Sequence, residues 1–156
     1  MLTLKRLIKS GHISSAVIGL LILGLGLAQA AMRDEDSLSR HRVVIQSSSA
    51  DPELQGLALV IAGNLQKHYG VDNIDIEMVA YGPGLGILTA DGPNAAKVKS
   101  LVDHNIQFKA CEGTLKFIQA QSGKRPELVA GVATVADGVV HLVERQEQGY
   151  SYVYPR

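Results

Sequence analysis

Hydrophobic positions between Arg42 and Tyr154 keep switching between a strand-like and a helix-like rhythm. Arg42–Ser47 is a short β-branched run that predicts a first strand. Ser47-Ser48-Ser49 breaks it, and Asp51 as N-cap, Pro52 at the first helical position and Glu53 in the first turn start a helix. Leu54, Leu57, Ala58, Ile61, Ala62 and Leu65 recur at helical spacing and predict its buried face, and Gly70 predicts a left-handed end. Ile74–Tyr81 alternates and then turns wholly apolar, as a strand entering a buried sheet does. Gly82-Pro83-Gly84 closes that strand, and Leu85–Leu88 has the length of one helical turn.

The second half repeats the scheme. Pro93 starts a helix through Val98, Leu101 and Val102 that ends near Asn105. Ile106–Ala110 is the third predicted strand, with Cys111 at its end. Thr114–Gln121 is a short helix stopped by Gly123, and Lys124-Arg125-Pro126-Glu127 reads as a solvated loop. Leu128–Val135 predicts the fourth strand, although Gly131 interrupts it. Asp137 caps a helix that turns Val139, Val140, Leu142 and Val143 inward and ends at Gly149; Tyr150–Tyr154 is the last strand. Five strands alternate with helices, and the connections are too long for hairpins. The expected fold is a three-layer α/β/α domain with a five-stranded parallel sheet.

The first 30 residues follow a different pattern. Lys5, Arg6 and Lys9 precede a charge-free run from Ile13 to Ala31 that ends in Ala28-Gln29-Ala30, a small-x-small cleavage pattern. The order predicts a secretory signal peptide over residues 1–30 and hence a periplasmic protein; the alternative is an N-terminal membrane anchor. With the leader cleaved, no stable membrane insertion is expected. Residues 31–41 are polar and aperiodic and read as a flexible segment before a domain at 42–156. Beyond the leader the chain holds 12 basic against 15 acidic residues, a net of about −3, which argues against nucleic acid as a partner.

Cys111 is the single cysteine, so an exported chain of this kind has no internal disulfide. In an open parallel sheet, ligands bind at the carboxyl ends of the strands, beside a topological switch point. That rule selects Ser47-Ser48-Ser49, Tyr81-Gly82-Pro83-Gly84, Cys111-Glu112-Gly113-Thr114 and Ala136-Asp137, among which Cys111 is the only strong nucleophile. A helix start favours its thiolate, and the adjacent Glu112 carboxylate opposes it. Taken alone, a free cysteine is more often a small buried hydrophobe. His68, His104 and His141 fall in or at the ends of helices and read as solvated or capping groups, with no metal-site spacing. No metal and no cofactor is expected. The glycines at 82, 84 and 86 make a poor dinucleotide fingerprint and a better tight turn. Tyr150, Tyr152 and Tyr154 share a strand face that suits a helix or a subunit contact.

Val43-Val-Ile-Gln-Ser47, Val79-Ala-Tyr-Gly-Pro-Gly-Leu85, Phe108-Lys-Ala-Cys-Glu-Gly-Thr-Leu-Lys116 and the segment Gly138–Tyr150 together resemble the DsrE/DsrF-like family, and most closely its exported, stand-alone branch. The resemblance spans roughly Arg42 to Pro155. It implies a sulfur carrier that holds a persulfide on the cysteine after the third strand, here Cys111. Exported relatives tend to carry Asn where this chain has Gly113. The expected function is periplasmic sulfur handling, with a sulfurtransferase or carrier activity. Cys111 would be the reacting thiol, and Tyr81, Gly82, Gly84, Gly113, Thr114 and Ser47 would bind. Expected partners are a small sulfur species or an acceptor thiol protein, and the resemblance implies a homo-oligomer. The alternative is a non-catalytic module of the same fold that binds a small anion or a partner.

Overall fold

The computed structural model describes residues 41–156; the signal peptide and all but the last residue of the flexible segment expected before the domain lie outside the described residues. The strands are β1 (His41–Ser47), β2 (Ile74–Ala80), β3 (Gln107–Cys111), β4 (Ala133–Val135) and β5 (Ser151–Val153). The helices are α1 (Pro52–Tyr69), α2 (Ala95–Asp103), α3 (Glu112–Ser122) and α4 (Gly138–Glu147), and a 3-10 helix spans Gly82–Leu88. All pairings are parallel, in the order β4-β3-β2-β1-β5. The expected three-layer α/β/α architecture is what the chain adopts.

The two faces of the sheet are unequal. Val43, Ile45, Ile76, Met78, Ala80, Phe108 and Ala110 point to one face and pack with Ala58, Leu59, Ala62, Leu85, Leu88, Val98, Leu101 and Leu115 in one continuous core. Thus α1, the 3-10 helix, α2 and α3 all lie on that face. Among the described residues the other face carries only α4, over a small cluster of Val44, Val79 and Leu142 flanked by Tyr81 and Tyr150. The unevenness follows from the strand order, because β1 to β4 step across the sheet one way and right-handed crossovers keep those helices on one side. Only the return from β4 to β5 crosses the opposite face.

Several local expectations are corrected by this packing. Asp51 caps α1 through the N–H of Glu53 as expected, but the buried stripe is Gln55, Ala58, Leu59 and Ala62, and Leu57 is exposed. The stripe rotates because α1 also meets the start of α2, where the N-cap residue Asn94 donates to Gln55 Oε1 at 3.1 Å. Gly82-Pro83-Gly84 is not a separate turn: it opens the 3-10 helix. The predicted fourth strand shrinks to Ala133–Val135. Leu128 bridges antiparallel to Thr89, Val129 N–H donates to the Leu88 carbonyl, and Gly131 takes a φ of +93°. The hydrogen bonds of that stretch go to the 3-10 helix exit instead of β3.

The largest correction concerns α4. Val139, Val140 and Val143 were expected inward and are about half exposed, while His141, Leu142 and Arg145 face the sheet. The cause is Glu77 in the middle of β2, only 1% exposed and on the α4 face with Val79. A buried carboxylate needs partners. His141 Nε2 lies 2.5 Å from Glu77 Oε1, Arg145 Nε donates to the same oxygen at 3.0 Å, and Lys109 Nζ approaches Oε2 to 3.8 Å. A polar stripe therefore turns inward. His141 is accordingly no solvated or capping histidine, whereas His68 and His104 are exposed.

Candidate functional site

The register sets the ends of four strands side by side. Ser47 pairs with Ala80, Ala80 with Ala110, and Cys111 with Val135. Strand alternation places Lys109 and Cys111 on the same face as Glu77, the thinly covered face under α4. Cys111 also serves as the N-cap position of α3. The thiol thus lies between two helix starts, that of α3 ahead of it in the chain and that of α4 beside it in space.

Cys111 is 7% exposed, which by itself matches the expectation of a small buried hydrophobe. Its surroundings do not. The N–H groups of Gly113, Thr114 and Gly138 and the hydroxyl of Thr114 lie close enough to Sγ to favour its charged form. Burial pushes the thiol up, and these donors, led by Thr114, outweigh it, so the pKa falls below the usual thiol value. Thr114 Oγ1 in turn accepts from the Gly82 N–H at 2.9 Å, so the 3-10 helix reaches the sulfur through that hydroxyl. Gly138 is the contact sequence reading missed. Its α4 start approaches so closely that an added Cβ would lie 3.0 Å from Tyr81 Cβ and 3.3 Å from Cys111 Cβ. A glycine directly after a capping aspartate was the available signal.

Glu112 does not oppose the thiolate as strongly as its position suggests. Arg125 forks onto both its oxygens at 2.8 and 2.7 Å and holds its carboxyl below the usual range. Arg125 is therefore tied to α3 and is not merely a solvated loop residue. Replacing Arg125 with alanine releases a full negative charge beside the sulfur. The expected result is a fall of about threefold in the rate of Cys111 alkylation at pH 7, because half a pKa unit changes the thiolate fraction by that much. Iodoacetamide kinetics against pH check it.

A cavity of about 720 Å³ opens over the sulfur. Tyr81, Gly82, Gly113 and Thr114 line it, joined by Pro83, Phe117, Ile118, Gly138 and Val139, which make its walls mainly apolar. Among the described residues Asp137 is the one charged group on the wall, and its carboxylate is occupied by the N–H groups of Val139 and Val140. Ser47 and Gly84 do not line this cavity. Ser47 is buried with its carbonyl accepting from Tyr81 N–H at 3.2 Å, and Gly84 packs directly on the Ser47 backbone. Nor is the site at the topological switch point, which falls between β1 and β5, two strands from β3. Among the described residues, no group of three or more His, Cys, Asp and Glu side chains is placed to hold a metal, and no helix is long and apolar enough to cross a membrane.

No family model and no curated protein matches the chain. Solved structures are similar to it, among them the following two. The ychN protein from E. coli superposes with a TM-score of 0.54 at 14% identity, covering 74% of this chain and 97% of that one, a likeness of fold. A protein of unknown function, MTH1491 from Methanobacterium thermoautotrophicum, superposes with a TM-score of 0.67 at 30% identity, covering 74% of this chain and 99% of that one. With that identity over nearly the full length of MTH1491, and with a DsrE/YchN-type fold, the chain belongs to the family of MTH1491.

Proposed function

We propose that this protein is an exported, periplasmic member of the DsrE/DsrF-like family that carries sulfur as a persulfide on Cys111. The observation that supports the reading most is the place of Cys111 at the base of a cavity, between two helix starts whose N–H groups favour its thiolate. A structural cysteine gains nothing from such a shell, whereas a thiolate and the persulfide anion it forms are both stabilised by it. In the reaction, the Cys111 thiolate attacks the outer, sulfane sulfur of a donor persulfide R–S–S⁻. The new Cys111 S–S bond forms as the donor's S–S bond breaks, and R–S⁻ leaves with the electron pair. An acceptor thiolate then attacks the outer sulfur of Cys111–S–S⁻, takes it as its own persulfide and restores the Cys111 thiolate. Tyr81 and Phe117 would flank the incoming group, and Gly113, Thr114 and Gly138 would hold the charge. The chain acts as a homo-oligomer in this reading, with the exposed Tyr152 and Tyr154 at the sheet edge available for contact.

Intact-protein mass spectrometry after brief exposure to polysulfide tests the proposal. The expected result is a gain of one sulfur in the wild type and none in Cys111→Ser. No gain in the wild type, or an equal gain in the variant, would overturn it. The second reading, a non-catalytic module that binds a small anion or a partner, is favoured by the burial of Cys111 and by the cavity's size. It requires undiminished ligand binding in Cys111→Ser.

A further inference from the structure

Glu77 is a buried charge that the sulfur chemistry does not use. It sits in the central part of β2, is 1% exposed, and gathers His141, Arg145 and Lys109 around its two oxygens. Two of those partners, His141 and Arg145, are on α4, one and two turns after Gly138. The apolar support for α4 is slight. Leu142 is the only large α4 side chain buried against the sheet, beside Val44 and Val79, while Val139, Val140 and Val143 stay exposed. Arg145 is held from its outer side as well, lying 5.4 Å over the Tyr150 ring and donating to Gln148 Oε1 at 2.6 Å. Charge pairing to Glu77 therefore does for α4 what a hydrophobic core does for α1 to α3.

The position of α4 matters at its first residue. Gly138 packs against both Tyr81 and Cys111, where an added Cβ would lie 3.0 Å from Tyr81 Cβ and 3.3 Å from Cys111 Cβ, and its N–H is one of the groups that favour the thiolate. Helices move as rigid rods over a few residues, so a clamp at His141 and Arg145 fixes the placement of Gly138. We propose that Glu77 is a positioning residue for the Cys111 site: its ion-pair cluster holds α4 down on the sheet so that the Gly138 N–H stays within reach of the sulfur. The proposal rests on Cys111 being the working thiol, but its measurement does not require sulfur transfer.

The sign of the effect separates positioning from direct electrostatics. Glu77 is in register with Gln107, four residues before Cys111 on β3, so the two backbone positions are about 13 Å apart along the strand. Over that distance, removing a negative charge would make the thiolate slightly easier to form. Loosening α4 does the opposite, because the sulfur loses a donor. In the full chain, Glu77→Gln keeps the shape and an acceptor for His141 but removes the charge that holds Arg145. The expected result is a rise in the Cys111 pKa, read as a fall of about threefold to tenfold in alkylation rate at pH 7. Arg145→Met, which leaves the His141 contact intact, is expected to give a smaller rise and decides the matter if Glu77→Gln does not fold. Leu101→Ala, in the core on the far face, should lower stability and leave the thiol pKa unchanged. An unchanged or lowered pKa in the folded Glu77 or Arg145 variant would overturn the proposal, and so would an equal rise in Leu101→Ala. A depressed wild-type pKa without sulfur gain would sink the carrier reading and leave this one standing.

Discussion

Gly84→Ala is expected to destabilise the domain by about 3 kcal/mol or more, measured as a lowered urea midpoint, since overpacking against immovable atoms exceeds the usual cost of an added methyl. A Cβ at this position would lie 2.3 Å from the Ser47 carbonyl oxygen, 2.5 Å from its carbon and 2.6 Å from Ser48 Cα. All three are backbone atoms at the end of β1, and none can rotate away. The contact is what lets the 3-10 helix dock on the sheet end, so relief of the clash must pull Gly82 and Pro83 away from the cavity. Gly82 is the internal comparison. It has a φ of +52° but open space around its missing Cβ, so Gly82→Ala should cost only about 1 kcal/mol of left-handed strain. Equal losses at the two positions would mean that the docking of the 3-10 helix on β1 is not tight.

Thr114→Val should slow Cys111 alkylation at pH 7 by about tenfold, the consequence of a pKa rise of about one unit. Valine keeps the volume and removes a hydroxyl that donates to the sulfur and accepts from the Gly82 N–H. The backbone N–H of Thr114 is untouched, so the variant isolates the side chain's share, and Thr114→Ser should restore most of the rate. The same shift has a consequence for stability. A thiol whose folded pKa lies below its unfolded value stabilises the fold once ionised. That contribution is fully present above the unfolded pKa, about 8.5, and is lost as pH falls through the depressed folded value. Unfolding free energy of the wild type should therefore rise with pH across that window relative to Cys111→Ser, and Thr114→Val should flatten the rise. A parallel pH dependence in wild type and Cys111→Ser would show that the thiol is not depressed.

The strand-and-helix order was readable because each signal is local. Asp51-Pro52, Asp137 and Gly123 act on their own few residues and stand where the reading put them, whereas Gly70 ends α1 at φ 87° and ψ 146°, outside the left-handed helical region, and Gln148 caps α4 in place of Gly149. Cys111 at a strand end and Gly113 and Thr114 after it were also legible, because neighbours in sequence stay neighbours at a helix start. Periodicity misled where a partner outside the segment set the orientation. The valines of α4 looked like an inward stripe, but the sheet offers them a carboxylate, and burying Glu77 against valine would leave a charge unpaired. Leu128–Val135 looked like a strand, but only three of its residues reach β3, since Gly131 turns the chain and Leu128 belongs to Thr89.

By itself, then, the amino-acid sequence determined the parallel α/β layout, the junction that carries Cys111 and the two donors that follow it in the chain. Local propensity and hydrophobic rhythm are short-range forces, and they reach no further than one element and its caps. Only the tertiary structure decided that a third backbone donor comes from α4, that Glu112 is paired with Arg125, and that Ser47 and Gly84 serve packing instead of lining the cavity. Each of those outcomes depends on which face a helix covers and which charge lies across from it. Buried charges and close backbone contacts are settled between segments distant in the chain, and here they are what surround one sulfur with donors.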